Sequence, residues 1–157
     1  MREKAPQMDT FDLRLLELVQ GNNQLPMREL AEVVNLSLPA VAKRLQRLRK
    51  SGVIMADRSI LAPEMVGVNT TVIVNVSVES EVIEQLDSIR QRFLDCPQVQ
   101  QCYYVTGDVD FILILAVKDM KEYESLTREL FFEGGNIRRF KTFVAMDRVK
   151  VSLSLTL

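Results

Sequence analysis

The sequence predicts an α+β protein in two parts. Before residue 51, apolar residues recur three times at helical spacing. From Asn69 onward, β-branched runs with a period of two alternate with two further amphipathic helices. Between the two patterns, Ala62-Pro63-Glu64-Met65-Val66-Gly67 marks a change of composition. The expected organisation is a helical domain over 1–54, a hinge over 55–69 and a sheet-forming domain over 70–157.

The first helix is read over Thr10 to Gln20, with Asp9 or Thr10 as its cap, Asp12 in its first turn and Phe11, Leu15, Leu16, Leu18 and Val19 as its apolar stripe. Acids in a first turn are what the helix dipole favours, so Asp9 and Asp12 read as structural and not as a catalytic pair. Gly21-Asn22-Asn23 stops this helix. A second runs from Met27 to Val34 after Pro26, with Leu30, Ala31 and Val34 facing inward.

The third helix, from Leu38 to Lys50, has two incompatible faces. Val41, Leu45 and Leu48 require a core, while Lys43, Arg47 and Lys50 gather on the opposite side, flanked by Arg44 and Arg49. Ser37 is a natural cap, Pro39 sits in the first turn, and Leu38, Ala40 and Ala42 keep the start slim. Solvation alone accounts for many basic faces. A slim start beside a cationic flank, however, is what a DNA major groove about 12 Å wide accepts. On that reading Lys43, Arg44 and Arg47 contact phosphate or guanine edges, and Ser37, Leu38, Pro39 and Ala40 lie nearest the bases. The short turn Asn35-Leu36-Ser37 makes the last two helices a helix-turn-helix of winged-helix-like type. Gly52 suits the left-handed position that ends the third helix.

Val53 to Leu61 reads as a small strand–turn–strand, either a wing or a hinge, with the hinge favoured. Then follow a strand at Thr71–Val78, a helix from Glu81 to Leu94, strands at Val99–Thr106 and Val109–Val117 joined at Gly107-Asp108, a helix from Asp119 to about Phe132, and an extended segment from Ile137 to Leu155. The helix stripe is Val82, Ile83, Leu86, Ile89, Arg90 and Phe93. The unbroken apolar run after Val109 implies burial on both faces or nearly so. This order, βαββαβ, is the ferredoxin-like arrangement. A sheet with helices on one side leaves the other to be covered, which argues for a two-fold dimer with its recognition helices about one DNA turn or a multiple apart.

Composition narrows the function classes. With 157 residues and 47% apolar content the chain has enough material for one domain or two small ones. There is no histidine, so a Ser-His or Cys-His pair and a His-bearing zinc site are ruled out. Cys96 and Cys102 have neither metal-ligand nor disulfide-framework spacing and read as apolar fillers. No run approaches the roughly 18 apolar residues of a membrane helix, and Met1 to Thr10 lacks a signal-peptide core, so a cytoplasmic protein with no membrane partner is expected. No metal or cofactor is expected. Charge is uneven, +3 over Met1 to Arg58 and −4 over the rest, which leaves a local basic patch despite a total of −1.

Several stretches resemble the Lrp/AsnC (leucine-responsive, or feast/famine) transcriptional regulators. They are Asp9-x-x-Asp12-x-x-Leu15-Leu16, Glu29-Leu30-Ala31, Leu36-Ser37 with Val41, Arg44 and Leu45, and Gly52-Val53-Ile54. Pro63, Gly67 and Gly107-Asp108-Val109-Asp110-Phe111 complete the set. The resemblance covers almost the whole chain and implies a regulator of transcription without enzymatic activity. It further implies double-stranded DNA as partner, dimers assembling into octamers, and an amino-acid effector, with leucine or methionine as the family-based guess. The effector site it implies comprises Tyr104, Val105, Thr106, Gly107, Asp108 and Asp110, with Thr142 from the last strand. A glycine turn offers open N–H groups to a carboxylate, and Asp110 would accept from the ammonium. Two other readings stay open: an effector-independent architectural DNA-binding protein, and a small-molecule sensor subunit acting on a protein partner. The chain departs from the family pattern at Phe131-Phe132-Glu133-Gly134-Gly135-Asn136. The basic residues Arg138, Arg139 and Lys141 beyond it either tune effector choice, form interface ion pairs or are simply solvated.

Overall fold

In the computed structural model, which describes residues 7–157, Asp9 opens α1 (Thr10–Gly21) with a reciprocal cap. The Asp12 N–H donates to Asp9 Oδ1 at 2.9 Å and the Asp9 N–H donates to Asp12 Oδ2 at 3.1 Å. Helix α2 (Met27–Val34) ends at Asn35, whose φ of 55° reverses the chain in the left-handed region. One residue past Leu36, Ser37 caps α3 (Leu38–Lys50) by accepting from the Ala40 N–H. Leu15, Leu30, Ala31, Val34, Val41, Leu45 and Leu48 form the core of this unit. The sequence expectation for all three helices therefore holds, although Phe11 of the predicted stripe stays 40% exposed. The residues before Gln7, part of the stretch read above as lacking a signal peptide, lie outside the described residues.

The expected hairpin over Val53–Leu61 does not form: no strand is assigned there, and Met55 and Ile60 stand almost fully exposed. A two-stranded hairpin is marginal alone, and this segment has no third strand to pair with. It is tied down only at its start, where the Ile54 N–H donates to the Leu48 carbonyl, and at Asp57, which accepts from Arg49 at 2.9 Å.

The second unit is a four-stranded antiparallel sheet in the order β2-β3-β1-β4. Its elements are β1 (Thr70–Val78), α4 (Ile83–Asp95), β2 (Val99–Tyr104), β3 (Phe111–Val117), α5 (Met120–Thr127) and β4 (Ile137–Val144). That is the expected βαββαβ order. Alternate residues Val72, Val74, Val76 and Val78 of β1, and Phe111, Leu113, Leu115 and Val117 of β3, face the helices. They pack on Leu86, Ile89 and Phe93 of α4 and on Tyr123 and Leu126 of α5, with Phe93 edge-on to Phe111 at 5.6 Å. β3 departs from the expected two-faced burial: its residues alternate between buried and half-buried, because only one face carries helices. Val82 and Ile83 lie outside the core at the start of α4 and are exposed.

After α5 the chain widens into a π-helical turn, Arg128–Phe132, and reverses through Gly135 and Asn136, both in the left-handed region. Asn136 then joins two distant segments. Its Oδ1 accepts from the Ser80 N–H at 2.8 Å and its Nδ2 donates to the Ser80 carbonyl at 2.9 Å. β4 stops at Val144, short of the extended segment expected to Leu155. Past it, Lys150–Leu157 groups with the helical unit, where the Gln20 side chain donates to the Leu155 carbonyl and accepts from its N–H. Alternation alone does not make a strand without a ladder partner. The sheet unit itself is Leu61–Val149. Cys96 and Cys102 are free and half-buried, as fillers should be, and burial pushes the Cys102 thiol upward despite nearby Arg90.

Candidate nucleic-acid interface and ligand-binding turn

The outer side of α3 borders an open groove of about 700 Å³, lined by Asp9, Ala40, Lys43, Arg44, Gln46, Arg47, Lys50 and Ser51. At its inner edge lies a charged cluster. Asp12 is fully buried, and its Oδ1 accepts from Arg44 Nη1 at 2.8 Å while its Oδ2 accepts from Arg47 Nη2 at 2.5 Å. Arg44 Nη1 also donates to both oxygens of Asp9, at 2.9 and 2.8 Å, and its guanidinium lies 5.5 Å from the Phe11 ring centre. Burial alone would push the Asp12 carboxyl up, but hydrogen bonds from Arg44, from the Asp9 N–H and from Arg47 outweigh it and hold the group below its ordinary value. The same contacts, Asp12 first, raise Arg44.

This geometry divides the predicted DNA-contacting residues. Arg44 is only 25% exposed and bound to two carboxylates, so its charge is already matched. Arg47 shares Asp12 but remains 51% exposed. Lys43 and Lys50 are exposed and in no ion pair among the described residues. Ser37, Leu38 and Pro39 are exposed at the start of the helix and Ala40 is half-buried. Gln46 lines the groove with them although the basic pattern does not mark it, and the pairing of Asp12 with the two arginines is likewise absent from the local pattern. The available signal was the matched spacing of Asp9-x-x-Asp12 and Arg44-x-x-Arg47, one helical turn on each helix.

In the sheet unit, Tyr104 to Asp110 form one cluster. The connection is not a two-residue hairpin turn: β2 ends at Tyr104, β3 begins at Phe111, and the Val105 N–H donates to the Asp110 carbonyl. Gly107 has a φ of 130°, which a side chain at this position would strain. Thr106, Gly107 and Asp108 are exposed. Asp110 Oδ2 accepts from the Val78 N–H at 2.8 Å, so one of its oxygens already serves the end of β1. Tyr104 packs on Phe111, with the Arg90 guanidinium 4.9 Å from its ring centre. Thr142 stands apart on β4. It pairs with Val74, on the helix side of the sheet, and its Oγ1 is 2.5 Å from the Tyr123 hydroxyl. Among the described residues no group of His, Cys, Asp and Glu is arranged to hold a metal, and no helix is long and apolar enough to cross a membrane.

Comparison with known proteins gives two family matches that together span most of the chain. Residues 8–55 match a winged helix-turn-helix DNA-binding model, and residues 71–155 match the Lrp/AsnC ligand binding domain. An uncharacterized HTH-type transcriptional regulator of Sinorhizobium fredii is 46% identical over 99% of this chain and 92% of its own length. The leucine-responsive regulatory protein of Haemophilus influenzae is 31% identical over 99% and 93%. An AsnC family transcriptional regulator from Agrobacterium tumefaciens has a crystal structure that superposes with a TM-score of 0.89 at 29% identity, covering 95% of this chain and 97% of that one.

Proposed function

The chain belongs to the Lrp/AsnC family of transcriptional regulators, and from that premise we propose that it binds specific operators through α3 under the control of an amino acid. The exposed, unmatched cations of α3 beside its slim start carry this reading. Lys43, Arg47 and Lys50 face phosphate, Gln46 and the segment Ser37–Ala40 face base edges, and Arg44 acts from within by fixing α3 against α1. The effector sits at the Tyr104–Asp110 turn, where exposed N–H groups take its carboxylate and the remaining Asp110 oxygen takes its ammonium. Thr142 stands on β4, apart from the turn within one chain, so it takes part only if another copy brings its β4 to that turn.

Leucine is the first effector to test, because a leucine-responsive protein is among the relatives, and methionine the second. The chain works as a cytoplasmic regulator and not as an enzyme. It assembles as a dimer through the helix-free sheet face, where Ile73, Ile112, Ile114 and Ala116 are only half-buried, and dimers associate further to an octamer.

Binding to operator and to scrambled duplex, measured with salt and with each of the twenty amino acids, tests the proposal. A specific regulator shows a steep salt dependence, a preference of about 10³-fold or more for operator, and a shift with one or two amino acids. The reciprocal coupling amounts to about 1–3 kcal/mol. A steep salt slope with neither sequence preference nor amino-acid response identifies an architectural DNA-binding protein instead. No duplex affinity at physiological salt leaves the sensor subunit.

A further inference from the structure

The groove beside α3 holds one neutral polar group that neither the core nor the ion pairs of the helical unit use. Of the side chains that line it, Asp9, Arg44 and Arg47 are held in the cluster around Asp12, the Ser51 hydroxyl donates to the Leu48 carbonyl, and Ala40 has no polar side-chain atom. Lys43, Gln46 and Lys50 remain, all of them exposed. The side-chain hydrogen bonds of α3 and its caps belong to Ser37, Arg44, Arg47, Arg49 and Ser51, so among the described residues the Gln46 amide makes none. Neither lysine is in an ion pair among those residues.

The three free groups share one line of the helix. Val41, Leu45 and Leu48 are buried, and on the opposite side Lys43, Gln46 and Lys50 fall within about 60° of one another. Along the axis the amide stands about 4.5 Å past Lys43 and about 6 Å short of Lys50. An ammonium finds a partner in any phosphate, whatever the sequence. An amide carries donors and an acceptor together, and both are costly to leave unpaired once the groove closes over them. Phosphate would satisfy only the Gln46 NH₂ and leave its Oε1 beside a negative charge. In the major groove adenine is the one base that presents an acceptor, N7, next to a donor, N6–H; guanine presents two acceptors, thymine an acceptor and a methyl, cytosine a donor.

We propose that Gln46 selects an adenine in each operator half-site, its Oε1 accepting from N6–H and its Nε2 donating to N7, while Lys43 and Lys50 hold phosphates on either side. The inference rests on the operator reading and adds to it a base and a position. Gln46 lies seven residues beyond Pro39, about 10.5 Å along the helix. The adenine therefore stands about three base pairs, at about 3.4 Å each, from the pairs next to the helix start. Arg44 and Arg47, whose side-chain type is suited to guanine, are tied to Asp9 and Asp12. That leaves Gln46 as the base reader of the second half of α3.

Selection of binding duplexes from a randomised library, with the full chain and with Gln46→Ala, tests the proposal. The wild type enriches an adenine at one position of each half-site, and any other base there weakens binding about tenfold or more. Gln46→Ala loses the preference at that position alone, keeps those read by the helix start, and leaves the salt slope unchanged because no charge is removed. On the selected duplex, 7-deazaadenine at that position, which replaces the N7 acceptor by C–H, weakens the wild type severalfold or more and has no effect on Gln46→Ala. A merely structural role for the exposed amide would not follow a single atom of the DNA in this way. An adenine preference that survives Gln46→Ala overturns the assignment and leaves the operator reading standing, as does equal sensitivity of the two proteins to 7-deazaadenine. Enrichment of guanine at the position that Gln46→Ala affects also overturns it. A wild type that enriches no sequence at all overturns the operator reading and this inference together.

Discussion

Around Asp12 the helical unit completes its core with charge, whereas the sheet unit completes its core with aromatic and aliphatic side chains alone. In the first, the buried carboxylate is clamped by Arg44 and Arg47, which belong to the helix proposed to read DNA. In the second, Phe93 packs edge to face with both Phe111 and Phe131 among valines and leucines, while the polar groups of interest stand on the turn or the opposite sheet face. Stability and function are therefore coupled in the helical unit and separable in the sheet unit. Small changes at α3 should register in both readouts, and core changes under the sheet should register mainly in one.

The strongest test of that contrast is Phe93→Ala. Phe93 is fully buried and touches both Phe111 and Phe131, so truncation costs about 3–5 kcal/mol of stability. Chemical denaturation followed by tyrosine fluorescence measures it, all three tyrosines lying in the sheet unit. Duplex affinity at a temperature where the sheet unit remains folded should change little. A parallel collapse of duplex affinity under those conditions breaks the proposed separation.

Asp12→Asn is the matching test in the helical unit and should cost about 1.5–3 kcal/mol, the range for hydrogen bonds to charged groups. It should also lower operator affinity, because α3 loses its tie to α1. The pH dependence follows from the direction of the shift. Asp12 is held below its ordinary value, so its stabilisation is complete above the unfolded carboxyl pKa and is lost as pH falls through the depressed folded one. Wild-type stability of the helical unit should therefore decline through that acidic window, and Asp12→Asn should flatten the decline. A variant as acid-sensitive as the wild type would assign the sensitivity to other carboxyls.

These two variants also mark what the sequence makes legible and what it does not. The apolar face of α3, its Ser37 cap and the alternation Val72, Val74, Val76, Val78 are written in local periodicity, and helix, cap and strand follow from neighbours in sequence. Asp12 was legible as a first-turn acid but not as an ion-pair partner, because its arginines lie on another helix. The hairpin at Val53–Leu61 and a strand beyond Val144 have suitable alternation, yet a strand also requires a partner that composition does not reveal. The face occupied by Thr142 and the bridge from Asn136 to Ser80 depend on register and chain reversal, which are likewise set at a distance.

A smaller effect separates the cations of α3 from one another. If Lys43 meets phosphate, Lys43→Ala reduces the slope of log affinity against log salt by about one. Arg44→Ala should weaken operator binding with the slope nearly unchanged, since its charge is already matched by Asp9 and Asp12. Arg44→Lys should restore part of the affinity, because an ammonium still reaches the two acids without the guanidinium fork. A slope reduced by Arg44→Ala as much as by Lys43→Ala would place Arg44 on the DNA instead.

The smallest effect expected lies in the sheet unit, at a polar contact remote from either proposed ligand surface. A Cβ at Gly134 would fall on the Arg92 guanidinium, which donates to the Leu130 carbonyl at 3.0 Å. Arg92 is a long side chain that swings away at little cost, so Gly134→Ala should forfeit only that hydrogen bond, about 0.5–1.5 kcal/mol. In a double-mutant cycle the loss should largely vanish when Arg92→Ala is already present, because the two changes act through one contact. Operator affinity and response to amino acids should stay at wild-type values. A loss comparable to that of Phe93→Ala would mean that the π-helical turn is held by this arginine, and that the sheet unit, like the helical one, depends on a charged group to close.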